Sequence, residues 1–173
     1  MTENEPIKAV SGGITFLSTG RYYDGINQWI AHSIKEGDTD AIDYAARRMA
    51  PLVPANSVLV PIPGHHGVAD QTLRLSQVLS SYTRLPFVDA LRGREHESHY
   101  EAKRRGHPLS GRDMGFYQTR ELPSDRIPCL IDNVVDTGTT AKAAAEALGN
   151  AMVLSFAMSD NLLQSEKHIG FKR

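Results

Sequence analysis

The chain carries a single cysteine and a single tryptophan in 173 residues, has aromatic side chains at only 7% of positions, and is almost without net charge. One cysteine, Cys129, excludes an intramolecular disulfide framework and any Cys-rich zinc site, and fits a reducing compartment. No apolar run approaches the roughly 20 residues that span a bilayer, and the opening MTENEPIKAV lacks the basic and apolar regions of a secretory leader. A cytoplasmic protein without a membrane partner is therefore expected. With 19 Lys plus Arg against 20 Asp plus Glu, bulk electrostatics give no reason to expect nucleic acid as a partner. No repeat, low-complexity tract or linker-like run divides the sequence, so residues 1–173 read as one domain. A chain this long can bury roughly 70% of its unfolded surface in a single core.

What is present alternates between two hydrophobic patterns. Ile14 to Leu17 reads as a short strand. From Asp24, a suitable N-cap, Ile26, Trp29, Ile30 and Ile34 recur at helical spacing, which would place Trp29 in the core, and Gly37 ends the run. A second helix starts at Thr39 with Ile42, Ala45, Ala46 and Met49 inward and stops at Pro51 and Pro54. Val58-Leu59-Val60-Pro61-Ile62 is apolar on consecutive residues, as in a parallel strand covered on both faces. The turn Pro63-Gly64-His65-His66-Gly67 follows, then a helical stripe from Val68 to Tyr82 and a short strand at Pro86-Phe87-Val88. Cys129-Leu130-Ile131 reads as a third buried strand, 138–148 as a helix, and Met152 to Ala157 as a fourth strand. Such alternation predicts an α/β fold with a mainly parallel sheet and ligands at the carboxyl ends of its strands.

The run CLIDNVVDTGTT, residues 129–140, concentrates the chemistry. A buried strand delivers Asp132, and a Thr/Gly-rich turn then opens a helix. The backbone amides of Thr137, Gly138, Thr139 and Thr140 would face one anion, aided by the helix dipole and by three threonine hydroxyls. Asp132, Asn133 and Asp136 would repel a bare phosphate, so the ligand should also bring hydroxyls, a metal or a basic atom. A phosphorylated sugar does so. Alternatively, Asp136-Thr137-Gly138 is a capped turn before a helix and nothing more.

This segment resembles the phosphoribosyl diphosphate (PRPP) signature of the type I phosphoribosyltransferases. VLVPIPGHHG is similar to the strand and diphosphate loop of their ComF-like branch, and RGREHESHYEAKRRGHPLSGRDMGFY to its basic flexible loop. The resemblance covers residues 58–148. It implies a parallel sheet of about five strands flanked by helices, with a small hood from 1–20 and 159–173. It further implies Mg2+ as cofactor, PRPP and a purine or pyrimidine base as partners, and a homodimer. Asp132 would bind the ribose hydroxyls directly or through Mg2+, with Asn133 beside it, and Thr137, Gly138, Thr139 and Thr140 would hold the 5′-phosphate. Asp136 would lie near the base as a general base. Gly64, His65, His66 and Gly67 would face the diphosphate.

The stretch 92–112 has no apolar periodicity and holds six basic residues against three glutamates. It reads as a mobile loop closing over the diphosphate, with Arg92, Lys103, Arg104 and Arg105 as its contacts and Lys103, Arg104 and Arg105 also contributing to catalysis. Asn133 stands where the signature has a second acidic residue, which opens the alternative of a PRPP or nucleotide binder without transfer. A competence-associated, DNA-linked role is a further alternative, although the chain lacks the cysteine-rich zinc module often found in the ComF-like branch.

Overall fold

The computed structural model describes residues 5–164. Two short strands, β1 (Ile7–Ser11) and β2 (Ile14–Ser18), form an antiparallel hairpin across Gly12-Gly13. Both glycines have positive φ, 60° and 76°, the backbone that a two-residue hairpin turn of this hand requires. Helices α1 (Asn27–Lys35) and α2 (Thr39–Met49) follow, then strand β3 (Ser57–Pro61) and helix α3 (Gln71–Thr83). The basic stretch contributes strand β4 (Leu91–Arg92) and the short helices α4 (His99–Arg104) and α5 (Gly111–Met114). Strands β5 (Tyr117–Gln118) and β6 (Ile127–Val135), helix α6 (Thr139–Leu148) and strand β7 (Met152–Met158) follow.

The main sheet has the order β1-β2-β7-β6-β3, parallel throughout except for β1. Phe87 adds a parallel bridge to Leu59 beyond β3. Successive strand residues point to opposite faces and both faces are covered, which is why β3 is buried at every position. On one face Leu59, Cys129, Ile131 and Leu154 pack against Ile30, Ile34, Ile42, Met49 and Leu75 of α1 to α3. On the other, Val60, Leu130 and Val153 pack against Ala141, Ala144 and Ala145 of α6. The expected α/β fold with a five-stranded, mostly parallel sheet flanked by helices is the one observed.

Three expectations change. Trp29 is 68% exposed and Ile26 55% exposed, so neither belongs to the core. The helix begins at Asn27, and its inward face is Asn27, Ile30, Ala31 and Ile34; Trp29 lies about 100° around from Ile30. Asn27 tolerates burial because its Nδ2 donates to the Arg21 carbonyl at 2.7 Å. The stretch 92–112 is folded: Ser98 caps α4 by accepting from the Glu101 amide, and Ala102, with Met114 just beyond the stretch, is a fully buried anchor. Of the segments expected to form a hood, residues 7–18 are the hairpin that joins the sheet beside β7, and 1–4 and 165–173 lie outside the described residues.

Candidate functional site

The carboxyl ends of β3, β6 and β7 converge with α4 on one region. β6 carries Asp132 and Asn133, the chain leaves the strand at Asp136, and Gly138 caps α6 with φ 86°. No side chain caps α6, so its first-turn amides keep their donor capacity for a ligand, with the positive end of the helix dipole behind them. The Thr137 and Thr139 hydroxyls lie 3.0 Å apart at its mouth. A Cβ on Gly138 would meet Leu162, Lys142 and Phe16 side chains at 3.3 to 3.5 Å, so glycine is required by both backbone and space. The Lys142 stem thus runs along this turn, a cation that the sequence reading missed. Its signal was the i+4 spacing from Gly138.

The three polar residues of the signature take different roles. Asp132 is half-buried, and desolvation pushes its carboxyl up to about 7, against a smaller downward pull from the Asn133 amide, which donates to its Oδ1 at 2.8 Å. Asn133 turns to the opposite side of the sheet, where its Nδ2 donates to the Ala31 carbonyl of α1 at 2.9 Å. Its Oδ1 is buried without a hydrogen-bond partner. The amide expected at the ribose is therefore committed to a helix contact. Strand alternation explains this, since Cys129 and Ile131 share the face that packs against α1.

Asp136 is held by three donors. Its Oδ1 accepts from Ser159 Oγ at 2.6 Å and Asn161 Nδ2 at 2.8 Å, and its Oδ2 from Lys103 Nζ at 3.2 Å. Burial raises its proton affinity, but the Ser159, Asn161 and Lys103 hydrogen bonds together outweigh that effect and hold the carboxyl below the usual range. Such a carboxylate is a weak general base. Ser159 and Asn161 follow β7, 23 and 25 residues beyond Asp136, so no local pattern announced them. Cys129 is buried, and desolvation pushes its thiol up to about 12, which removes it from nucleophilic chemistry at neutral pH.

The basic segment lies over the turn. His99 Nε2 of α4 shares a 2.7 Å hydrogen bond with Thr140 Oγ1, and Lys103 reaches Asp136. Arg105 pairs with Glu97 at 2.8 Å, and Arg92 is clamped in a two-point pair with Asp89. Arg104 is exposed and pairs with no acid among the described residues. Of the four expected cations, Lys103 is thus placed at the turn, whereas Arg92 is held by Asp89, just before the segment, and Arg105 by Glu97 within it. In the loop after β3, the Gly64 amide donates to the Val68 carbonyl and the Gly67 amide to the Gly64 carbonyl. Both glycine amides are spent within the turn, which leaves the exposed His65 and His66 as its outward-facing groups.

No family model matches the chain, and no curated protein does. Among solved structures, the chain is similar to an adenine phosphoribosyltransferase from Leishmania donovani, with 16% identity over 96% of this chain and 80% of that one and a TM-score of 0.49. It is similar to an adenine phosphoribosyltransferase from Saccharomyces cerevisiae with 17% identity over 94% of this chain and 88% of that one and a TM-score of 0.41. An allosteric regulatory enzyme of purine biosynthesis gives 14% identity over 68% of this chain and a TM-score of 0.44, and the chain spans only 25% of its length. The architecture of the present chain is established by its own strand order.

Proposed function

We propose that the chain binds PRPP at the turn between β6 and α6 and transfers its 5-phosphoribosyl group to a nitrogenous base. The observation that carries this reading is the placement of CLIDNVVDTGTT: a buried strand, a half-buried Asp132, and an uncapped helix N-terminus at the carboxyl edge of a parallel sheet. The 5′-phosphate takes the Thr137 to Thr140 amides and hydroxyls, the ribose hydroxyls face Asp132, and Lys103 moves from Asp136 to the diphosphate. In the transfer the bond from the ribose anomeric carbon to diphosphate oxygen breaks, and its electron pair leaves with diphosphate. A lone pair on the base nitrogen forms the new bond, and the proton on that nitrogen is released. Asp136, still held as a carboxylate by Ser159 and Asn161 once Lys103 has moved, accepts from the base rather than taking its proton.

Among the described residues no three acidic, histidine or cysteine side chains converge on a metal site. Mg2+ therefore fits this chain only when it arrives on the oxygens of the ligand, with Asp132 as the one signature carboxylate free to face it. There it would neutralise diphosphate charge. The amide of Asn133, turned to Ala31, favours a second reading in which PRPP is bound and not transferred, since one acidic group rather than two meets the sugar.

Calorimetric titration with Mg-PRPP, beside diphosphate release with a panel of purine and pyrimidine bases, tests both. Binding and turnover support transfer, and binding with no turnover on any base supports the second reading. Thr137→Ala and Asp132→Ala are each expected to weaken PRPP at least about tenfold, the loss of one charge-assisted hydrogen bond or more. Absence of PRPP binding in the parent protein would sink both readings.

A further inference from the structure

We propose that helix α4 is a latch that holds the phosphate cradle of the free protein shut, so that a phosphorylated ligand must displace His99 from Thr140 and Lys103 from Asp136 to occupy the turn. The inference rests on reading that turn as a phosphosugar site and concerns its regulation: α4 competes with the ligand in the resting protein instead of closing only after the ligand has bound.

The segment that carries α4 is pinned at its base. The Arg94 amide donates to the Met114 carbonyl at 2.8 Å, and beside it β4 and β5 pair at Leu91 with Gln118 and Arg92 with Tyr117. A Cβ at Gly93 would collide with the Met114 carbonyl, and one at Gly115 with the Arg94 side chain, so the base closes this tightly because both positions are glycine. On the far side α5 is seated on α6, where a Cβ at Gly111 would stand 3.5 Å from that of Ala143. Between these fixed points α4 is stapled into one unit. Ser98 caps its first turn, Arg105 pairs with Glu97 across it at 2.8 Å, and the His107 amide returns to the Ala102 carbonyl at 3.0 Å. The His96 amide, bonded to the His65 carbonyl at 2.8 Å, marks where the unit begins, and Gly106, with φ 77° in open space, marks where it ends. A knit unit on a fixed stem moves as one body about its ends.

The polar ties of this unit to the body land on groups the ligand needs. His99 Nε2 lies 2.7 Å from Thr140 Oγ1, and Lys103 Nζ lies 3.2 Å from Asp136 Oδ2. Among the described residues no other side chain of α4 hydrogen-bonds or ion-pairs with the body, and the fully buried Ala102 supplies the apolar contact. The imidazole thus stands against the hydroxyl that a 5′-phosphate uses, and the ammonium is tied to the carboxylate at the same turn, so ligand and latch draw on the same groups. A ligand that binds only the open protein has its apparent affinity lowered by the open fraction. One hydrogen bond together with one half-exposed ion pair leaves about one molecule in ten open.

The experiment titrates ribose 5-phosphate into the parent protein and into His99→Ala by calorimetry. This probe fills the cradle but has no diphosphate to recruit Lys103, so the cost of opening the latch is read without a compensating contact. Expected is tighter binding by the variant, about three- to tenfold, as the open fraction rises. A side chain that only helps to hold the ligand predicts the opposite sign. Hydrogen exchange of the parent, followed by mass spectrometry, supplies a readout that needs no variant: amides of 97–106 should exchange faster when ribose 5-phosphate is bound, while those of 137–142 slow down. Equal or weaker binding by His99→Ala, exchange of 97–106 that is unchanged or slower with the probe bound, or no binding of the probe to either protein each overturn the latch. Any of these results beside intact Mg-PRPP binding leaves the proposed function standing, whereas absence of PRPP binding as well removes both.

Discussion

Replacing Asn133 by aspartate restores the acidic pair of the signature, and the structure gives that change an outcome opposite to improved ligand binding. The Asn133 amide is the donor to the Ala31 carbonyl. A carboxylate cannot donate, so Asn133→Asp removes a hydrogen bond that contributes about 1 kcal/mol and sets a charged acceptor against a carbonyl. The buried Oδ1 already lacks a partner, so nothing nearby compensates the new charge, and an unpaired acceptor of this kind costs about 1–3 kcal/mol more. The expected loss at neutral pH is about 2–4 kcal/mol, or a Tm lower by about 4–16 °C for a domain of this size. The new carboxyl, half-buried and beside Asp132, has a folded pKa raised above the ordinary value of about 3.9. Its contribution is therefore fully present below that ordinary value and is lost as pH rises through the folded pKa. The Tm gap between parent and variant should accordingly be smaller at about pH 5 than at about pH 7.5, because the protonated acid can donate to Ala31. Thermal unfolding by circular dichroism at the two pH values checks this. A variant as stable as the parent at neutral pH, with tighter Mg-PRPP binding, would refute the placement of Asn133 against α1.

Asp132→Asn removes a carboxyl whose folded pKa is raised to about 7, a group that costs the parent stability as pH rises from its unfolded value to that point. The variant should gain in Tm relative to the parent at about pH 8 and not at about pH 4, while PRPP binding falls; a constant gap across pH would contradict the assignment. Gly138→Ala forces a side chain into φ 86° and into Leu162, Lys142 and Phe16, and should cost about 1–3 kcal/mol in chemical denaturation. Trp29→Ala should change stability by less than about 0.5 kcal/mol. Because Trp29 is the only tryptophan, native fluorescence should already be open to an aqueous quencher, and a shielded signal would place the residue elsewhere.

The parts of the fold that were legible are those where burial on both faces leaves a continuous apolar run, as in β3, at 129–131 of β6 and in β7, and where a one-sided stripe such as Ile42, Ala45, Ala46 and Met49 marks a helix. α1 misled because polarity does not report orientation once a local partner exists: Asn27 goes inside with Arg21, and Trp29 faces solvent. The stretch 92–112 hid its order because that order comes from a cap at Ser98, two apolar anchors and backbone bonds to 65–67, none of which has a period. Within the site, contiguous residues 132–140 were readable as a unit. Ser159 and Asn161 were not, since they reach Asp136 only when β7 pairs with β6.

The N-terminal hairpin also has a bearing on synthesis. β2 is synthesised well before its parallel partner β7, which ends at Met158, about 140 residues later. At about 5–20 residues per second, the edge of β2 destined for β7 waits roughly 7–30 s with its amides and carbonyls unpaired by their final neighbour. The hairpin is therefore open to foreign strands throughout that interval, with Lys8 on β1 as its only charged residue. Closure of the sheet becomes a late event, set by the arrival of β7 rather than by the hairpin's own propensity.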